Sequence, residues 1–252
     1  MKLVDAHCHL DFDSFEHDRD SVINRARAEG IEDIVVPGVK AEHWQRISDL
    51  CKRPGLHACY GLHPYHADTH TIQDLDKLER QLDKQPGVAL GECGLDYRDG
   101  QPDKYVQNKF FTAQLDIARQ HDKPVVIHSV RATEDVILNL NNYPALRGMV
   151  HSYSGSLEQA RLLIEKGFYI SLGGSVTYKN ANRLHKVAAG IPLDSLLLET
   201  DAPDQPDSLH HGKRNEPSYL INVLNFISEL RGESPECIAE QTTANARRLF
   251  CI

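Results

Sequence analysis

The chain has 252 residues, of which 40% are hydrophobic and 25% are charged, and its formal net charge is −8. This is the composition of a globular protein with a substantial core, and the acidic balance argues against an extended basic surface for nucleic acid or anionic membranes. No apolar stretch approaches the length of a membrane span, and the chain does not open with the basic and apolar pattern of a signal peptide, so we expect a cytoplasmic protein. The six cysteines show no Cys-x-x-Cys spacing and no small disulfide framework, which is typical of reduced thiols.

Apolar runs that predict strands alternate with amphipathic stretches that predict helices along the whole chain. The first strand is expected within Met1–Asp11, and the first helix from Asp18 to Glu29, ending at Gly30. Seven further strands are predicted at 34–36, 56–62, 88–92, 125–127, 148–150, 169–172 and 196–198. Helices are predicted at 41–52, 72–82, around 110–118, 136–140, 156–167, 181–189, 218–230 and from residue 234 onward.

Eight strand–helix repeats of roughly 30 residues match the size of a single (β/α)8 TIM-type barrel, an α/β fold, over residues 1–252. No linker or low-complexity tract interrupts the series. The alternative is an open doubly wound sheet, which would lead us to expect a glycine-rich phosphate turn after an early strand. The pair Gly173 and Gly174 comes too late in the chain to serve as that turn.

Polar residues that can ligate a metal follow the apolar runs of several predicted strands. In a barrel the carboxyl ends of all strands meet at one rim, where catalytic groups stand. Any one of these residues could simply be a hydrogen-bonded polar residue at a strand end, but four imidazoles and two carboxylates at one rim favour a metal site. The predicted ligands are His7, His9, Glu92, His128, His151 and Asp201.

Six ligands exceed the needs of one tetrahedral ion, so two divalent ions that share Glu92 are the simplest arrangement. His7, His9 and Asp201 would complete one site, and His128 with His151 the other. Nitrogen and oxygen ligands without a thiolate suit zinc or manganese, whereas magnesium prefers oxygen. The sequence does not choose among zinc, manganese and magnesium.

A pair of divalent ions favours hydrolytic chemistry on a phosphoryl or carbonyl group. Asp201 could be both a ligand and the proton acceptor for the attacking water. Glu199, two residues earlier, could orient a ligand or form a buried salt bridge. Cys8 and Cys93 flank predicted ligands, but strand alternation turns them away, so we interpret them as packed thiols.

Short motifs recur from one end of the chain to the other. They are Asp5-Ala-His-Cys-His-Leu-Asp11, Gly61-Leu-His-Pro64, Gly91-Glu-Cys-Gly-Leu-Asp-Tyr97, Ile127-His-Ser129, His151-Ser-Tyr-Ser-Gly155, Glu199-Thr-Asp-Ala-Pro203, Arg214-Asn-Glu-Pro217 and Ala244-Asn-Ala-Arg-Arg-Leu-Phe250. Together they resemble the motifs of the TatD family of metal-dependent deoxyribonucleases, and the pattern is most similar to the bacterial YjjV-type branch. The resemblance implies a metal-dependent hydrolase barrel, a two-ion site on the six ligands above, with Asp201 and Glu92 catalytic, and hydrolysis of DNA phosphodiesters.

The chain departs from the family pattern near the expected substrate contacts, which are His63, Arg131 and Arg214. Tyr65 follows Pro64 where the family usually has histidine, and Val130 separates Arg131 from the Ile-His-Ser motif. The expected substrate is short or single-stranded DNA or a small phosphoester. The alternatives are hydrolysis of a small amide, lactone or ester by the same ions, and metal storage or regulation without turnover. No feature of the sequence points to a specific protein partner.

Overall fold

The computed structural model describes residues 1–252 as eight β-strands and nine α-helices. The strands are β1 (Leu3–Asp5), β2 (Ile31–Pro37), β3 (Leu56–Tyr60), β4 (Ala89–Asp96), β5 (Val125–Val130), β6 (Gly148–Val150), β7 (Phe168–Leu172) and β8 (Leu196–Leu198). The helices are α1 (Arg19–Ala28), α2 (Trp44–Leu50), α3 (Ile72–Lys84), α4 (Lys104–Gln120), α5 (Thr133–Leu140), α6 (Leu157–Glu165), α7 (Asn182–Gly190), α8 (Leu220–Arg231) and α9 (Pro235–Phe250).

The eight strands form one parallel sheet in which each strand pairs with the next along the chain. The two ends of the sheet meet through a hydrogen bond of 3.0 Å from the amide of Ala6 to the carbonyl of Leu198. The sheet therefore curves into a nearly closed (β/α)8 barrel, as the eight repeats predict. None of the nine helices has both the length and the apolar character that crossing a bilayer requires.

Strand alternation divides the core into two layers. On β2, Ile34 and Val36 belong to the larger cluster, while Val35 belongs to the smaller one. The smaller cluster combines residues from the strands with Leu249 and Phe250 of α9. Because α9 packs on β1 and β8 and contributes apolar side chains to this inner cluster, it closes the amino-terminal end of the barrel. The carboxyl ends of the strands are left to form the site.

Two strand boundaries differ from the sequence prediction near expected ligands. β1 ends at Asp5 rather than continuing through His9, because the amide of Ala6 binds Leu198 while that of Cys8 binds Val35. These bonds go to different neighbours and do not form a regular ladder. In contrast, β4 is longer than predicted and continues to Asp96, with an irregular register between Gly91 and Cys93. Glu92 therefore lies within a strand, at the point where the ladder is interrupted.

Candidate metal centre

The structure brings all six predicted ligands together at the carboxyl end of the barrel. Two lie in the segment after β1, one each on β4 and β5, one directly after β6 and one after β8. Five of these residues are buried, with at most 8% of their surface exposed, and the side chain of His128 is 12% exposed. Residues up to 194 positions apart in sequence are neighbours here because a parallel barrel gathers all its strand ends at one mouth. The six are His7, His9, Glu92, His128, His151 and Asp201.

Four ligand atoms form the first cluster, which consists of His7 Nε2, His9 Nε2, Glu92 Oε2 and Asp201 Oδ1. The two imidazole nitrogens are 3.2 Å apart, and they lie 3.2 and 3.5 Å from the Glu92 oxygen. The same two nitrogens lie 3.4 and 3.6 Å from the Asp201 oxygen. Ligands at about 2.0–2.1 Å from a tetrahedral zinc ion are separated from each other by about 3.3–3.4 Å. The spacing of the first cluster therefore fits one divalent ion.

The second cluster uses the other oxygen of the same glutamate. Glu92 Oε1 lies 2.9 Å from His128 Nδ1 and 2.7 Å from His151 Nε2, and these two nitrogens are 3.1 Å apart. The two oxygens of Glu92 thus face different clusters, which is the geometry of a bridging carboxylate.

Glu92 Oε2 accepts no hydrogen bond of good geometry although it is buried among imidazoles. A buried carboxylate oxygen without a hydrogen-bond donor is costly for a protein, and coordination of a cation removes that cost. The donor set, nitrogen and oxygen without sulfur, suits zinc or manganese better than magnesium. The residues of both clusters therefore fit divalent cations.

The electrostatics of the centre keep Glu92 ionised. Burial acts to raise the pKa of this carboxyl group, but the facing imidazoles of His151, His63 and His7 outweigh it and hold the pKa well below its ordinary value. The pKa of His9 rises to about 9, because contact with Glu92 outweighs the effect of burial. An ionised carboxylate between the clusters favours the binding of positive ions.

Buried carboxylates also surround the clusters. Glu199 accepts hydrogen bonds from the amide of Ser152 and from Ser171 Oγ, and its Oε1 lies 3.7 Å from His151 Nδ1. This distance is too long for a hydrogen bond, so Glu199 faces the ring of His151 without a direct bond to it. Asp5 joins the ends of β1 and β8, since it accepts hydrogen bonds from the amide and hydroxyl of Thr200. Burial raises the pKa of Asp5 to about 8.

Asp96 and Arg98 complete the surroundings of His128, and neither was predicted from the sequence. Asp96 Oδ2 lies 3.2 Å from His128 Nε2, on the side of the ring that faces away from Glu92. Arg98 donates to both oxygens of Asp96 through Nε, at 2.9 and 3.0 Å. Burial alone would raise the pKa of Asp96, but the hydrogen bonds from His128 and Arg98 lower it below its ordinary range. The sequence did contain a signal for Asp96, because this residue lies on the same strand as Glu92 and within the family motif that runs from Gly91 to Tyr97.

We expect Asp96→Asn to weaken divalent metal binding by about 10- to 100-fold, because the imidazole of His128 loses the charged partner that orients it. Titration of the metal-free protein with zinc or manganese, followed by isothermal calorimetry, measures this change. Asp116→Asn, which removes a half-exposed carboxylate of α4 that pairs with Arg119, is the matched control and should bind metal like the wild type. Unchanged affinity in Asp96→Asn would mean that the contact does not position His128.

The three predicted substrate contacts have different positions. The side chain of His63 reaches the centre, with Nε2 3.0 Å from Glu92 Oε1, and its pKa is lowered to about 4 because burial and the neighbouring His128 outweigh the attraction of Glu92. Arg214 instead donates to both oxygens of Asp18 and does not line the central cavity. Its expected contact with substrate is therefore not supported, because the ion pair holds its guanidinium beside α1. Arg131 also lies outside the cavity, and its side chain is exposed.

The metal centre forms the floor of a cavity of about 610 Å³. Arg98 is the only arginine or lysine in its lining, whereas Arg131 and Arg214, the arginines predicted as substrate contacts, lie outside it. Phe12 stacks on the ring of His9 with the ring centroids 4.5 Å apart, and Tyr65 is 53% exposed at the opening. The remaining lining includes Val39, His66, Val130, Tyr153, Ser154, Ser175, Leu184, Asp204 and Gln205.

A (β/α)8 barrel with this ligand set at its carboxyl mouth defines the class of metal-dependent hydrolases. The chain belongs to the TatD family, because the family model described as TatD related DNase matches residues 4–251.

Relatives of known sequence or structure match the chain over nearly its full length. It is 37% identical to the uncharacterized metal-dependent hydrolase YjjV of Escherichia coli K12, over 100% of this chain and 98% of that protein. It is 40% identical to the uncharacterized metal-dependent hydrolase YabD of Bacillus subtilis 168, over 99% of both. The crystal structure of YjjV, a TatD homolog, superposes with a TM-score of 0.96 at 36% identity and covers 99% of this chain and 98% of that one. The resemblance to the TatD family is thereby confirmed.

Proposed function

We propose that this protein hydrolyses phosphodiester bonds, with short or single-stranded DNA or a small phosphoester as substrate, using two divalent ions held by the two clusters. The observation that carries the proposal is Glu92, whose two oxygens face separate sets of ligands at the floor of one cavity. Bound there, divalent ions would activate a water molecule and neutralise charge on phosphoryl oxygens. The description of the family as TatD related DNase supports the same reaction.

Asp201 is positioned to accept a proton from the attacking water. Its Oδ1 belongs to the first cluster, whereas Oδ2 accepts a hydrogen bond from Gln205 Nε2. The carboxylate lies at the edge of the cavity, where its surface is 8% exposed, so water can reach it. A ligand with an accessible carboxylate at the reaction centre can serve as a general base. Glu92 holds the two clusters at a fixed separation.

Arg98 provides the positive charge that an anionic substrate needs. Its Nε and Nη2 donate to Asp96, but Nη1 has no hydrogen-bond partner in the protein and the side chain is 48% exposed. A guanidinium fixed along one edge presents its other edge to a phosphate oxygen in a defined orientation. Phe12 and Tyr65 add aromatic surface on which a base can stack. This combination favours a nucleotide-like anion.

The second candidate is hydrolysis of a small amide, lactone or ester by the same centre. It is favoured by the single cationic side chain in the cavity lining, since a long DNA strand would be expected to meet more positive charge.

Metal storage without turnover is less well supported. An accessible carboxylate at the wall of an open cavity exceeds what retention of a metal requires.

A substrate panel on the reconstituted protein separates these functions. The protein is stripped with chelator, reloaded with zinc, manganese or magnesium, and assayed with bis(4-nitrophenyl) phosphate, a single-stranded oligonucleotide, and aryl esters and amides. Metal-dependent cleavage of the phosphodiesters supports the proposal. Metal-dependent acyl cleavage without phosphodiester cleavage favours the second candidate, and metal binding without any turnover favours storage.

We expect Arg98→Gln to raise KM for bis(4-nitrophenyl) phosphate by about tenfold or more, because a charge-assisted hydrogen bond to the anion is lost. Arg98→Lys should raise KM less, since lysine keeps the positive charge although it cannot donate the two parallel hydrogen bonds of a guanidinium. A neutral aryl ester should be affected little by either change. Metal content, measured in parallel, tests whether the change in KM instead arises from weaker metal binding, through disturbance of Asp96 and His128. Equal losses on anionic and neutral substrates would contradict the role of Arg98 as an anion contact.

A further inference from the structure

The segment that carries His63 is fixed at several backbone atoms. The amide of His63 donates to the carbonyl of Val39 at 3.0 Å, and its carbonyl accepts from His70 Nε2 at 2.9 Å. The preceding residue, Leu62, is held on both sides by the buried amide of Gln114, at 2.7 and 3.0 Å. His63 is therefore presented to the metal centre from a rigid loop.

One hydrogen bond determines which nitrogen of His63 carries the proton. The backbone amide of Tyr65 donates to His63 Nδ1 at 3.0 Å. Pro64, the first residue of a short 3₁₀-helix, has no amide hydrogen, so Tyr65 supplies the first free donor of this turn. A backbone amide can only donate, so Nδ1 must be unprotonated. The ring is then neutral, with its proton on Nε2.

This tautomer excludes coordination through the nitrogen that faces the centre. His63 Nε2 lies 3.0 Å from Glu92 Oε1, and its ring is 4.4 Å from that of His128, so by distance alone His63, Glu92 and His128 could hold an ion. Coordination needs a lone pair on Nε2, which would move the proton to Nδ1. There it would oppose the amide hydrogen of Tyr65. His63 therefore presents an N–H group to the metal centre, beside Glu92 Oε1, and does not serve as a ligand.

We propose that His63 is a catalytic residue that donates an Nε2–H hydrogen bond to the leaving oxygen of the substrate and does not bind metal. The leaving-oxygen role rests on the proposed function. Asp201 Oδ1 lies 3.4 Å from His7 Nε2, which contacts Glu92 Oε2, whereas His63 Nε2 contacts Glu92 Oε1, so the two residues lie near different oxygens of Glu92. When the P–O bond breaks, the leaving oxygen takes the electron pair and gains its proton from solvent. His63 keeps its proton and stabilises the developing charge.

The side chain of Tyr65 does not determine the tautomer of His63, because the hydrogen bond to His63 Nδ1 comes from the backbone amide. Tyr65 replaces the histidine usual in the family, yet its amide still donates to His63. Tyr65→Ala should therefore leave the tautomer of His63 unchanged, which provides an internal control.

The first test measures the tautomer and metal binding without using activity. Nitrogen chemical shifts of histidine-labelled protein, with His63→Gln for assignment, should give the Nε2–H tautomer with and without zinc, and in Tyr65→Ala. His63→Ala should bind as many zinc ions per chain as the wild type, whereas His128→Ala should bind fewer. An Nδ1–H tautomer in the zinc-loaded protein, or loss of an ion in His63→Ala, would overturn the proposal.

The second test varies the leaving group. His63→Ala should lower kcat about 10²- to 10³-fold for a dinucleotide, whose leaving alkoxide is poor, and much less for a 4-nitrophenyl diester, whose leaving group needs little stabilisation. His63→Gln keeps an N–H donor and should recover part of the loss. Equal losses for both leaving groups would refute donation to the leaving oxygen. If the wild type cleaves only acyl substrates, the proposed function fails, and alkyl and aryl esters then test His63 in the same way.

Discussion

Glu92→Gln should lower kcat by about 10⁴-fold and should reduce the number of divalent ions that remain bound after dialysis. The amide keeps one oxygen, so only one cluster retains its acceptor. The other cluster meets an amide nitrogen, which cannot ligate and which opposes the imidazoles of that cluster. The variant also removes the negative charge that Glu92 retains in the wild type, where neighbouring imidazoles hold its pKa well below the ordinary value.

Metal analysis of dialysed protein and the rate of bis(4-nitrophenyl) phosphate hydrolysis measure these two effects. Glu229→Gln, on the exposed face of α8, is the control and should match the wild type in both. Near-ultraviolet circular dichroism establishes that Glu92→Gln is folded. A folded variant with the wild-type metal content and rate would show that Glu92 does not join the two clusters.

For Asp201→Asn, we expect a loss of about 10³-fold in kcat at saturating metal, with the fold preserved. Asparagine keeps one oxygen for the first cluster, but an amide nitrogen replaces Oδ2, so the variant can neither accept the hydrogen bond from Gln205 nor take a proton from water. The backbone at Asp201 has φ of +57°, a conformation that asparagine tolerates better than most residues. The loss therefore reports the missing proton acceptor together with the lost hydrogen bond from Gln205.

Asp122→Asn is a closely matched control for this variant. Asp122 also has positive φ, +47°, but it lies at an exposed turn and pairs with Arg147 at the surface. The same chemical change on the same backbone conformation should leave kcat unaltered there. Asp201→Asn with the wild-type rate would point to a contaminating enzyme or to another proton acceptor.

Strained backbone at the mouth of the barrel is held by tertiary hydrogen bonds. Ser152 and Asp201 follow β6 and β8 with φ of +41° and +57°. Such conformations cost of order 1–3 kcal/mol for residues other than glycine. The amide of Asp201 donates to the carbonyl of His7 at 2.9 Å, and that of Ser152 donates to the carboxylate of Glu199. The ligands next to these bonds are therefore fixed by contacts between distant segments.

The sequence was sufficient to predict the barrel and the group of candidate ligands that meet at its mouth. Apolar runs mark strands, and the polar residue that follows a run lies near a carboxyl end, so the parallel topology brings His7, His151 and Asp201 together, with Glu92 beside them although β4 continues past it. The prediction succeeded although β1 ends at Asp5, because chain connectivity keeps His7 and His9 within a few residues of that strand end. Nearness to a strand end mattered more than membership of the strand.

Only the tertiary structure decided which other polar groups reach the cavity and in which chemical form. Arg214 was expected at the substrate but pairs with Asp18, which is 196 positions away, while Arg98 reaches the cavity beside Asp96. The proton on His63 is likewise set by a bond to the amide of Tyr65. Hydrophobic periodicity is a local property that reports where strands end. The direction and partner of a long polar side chain depend on groups that folding brings from elsewhere in the chain, and a single sequence does not identify them.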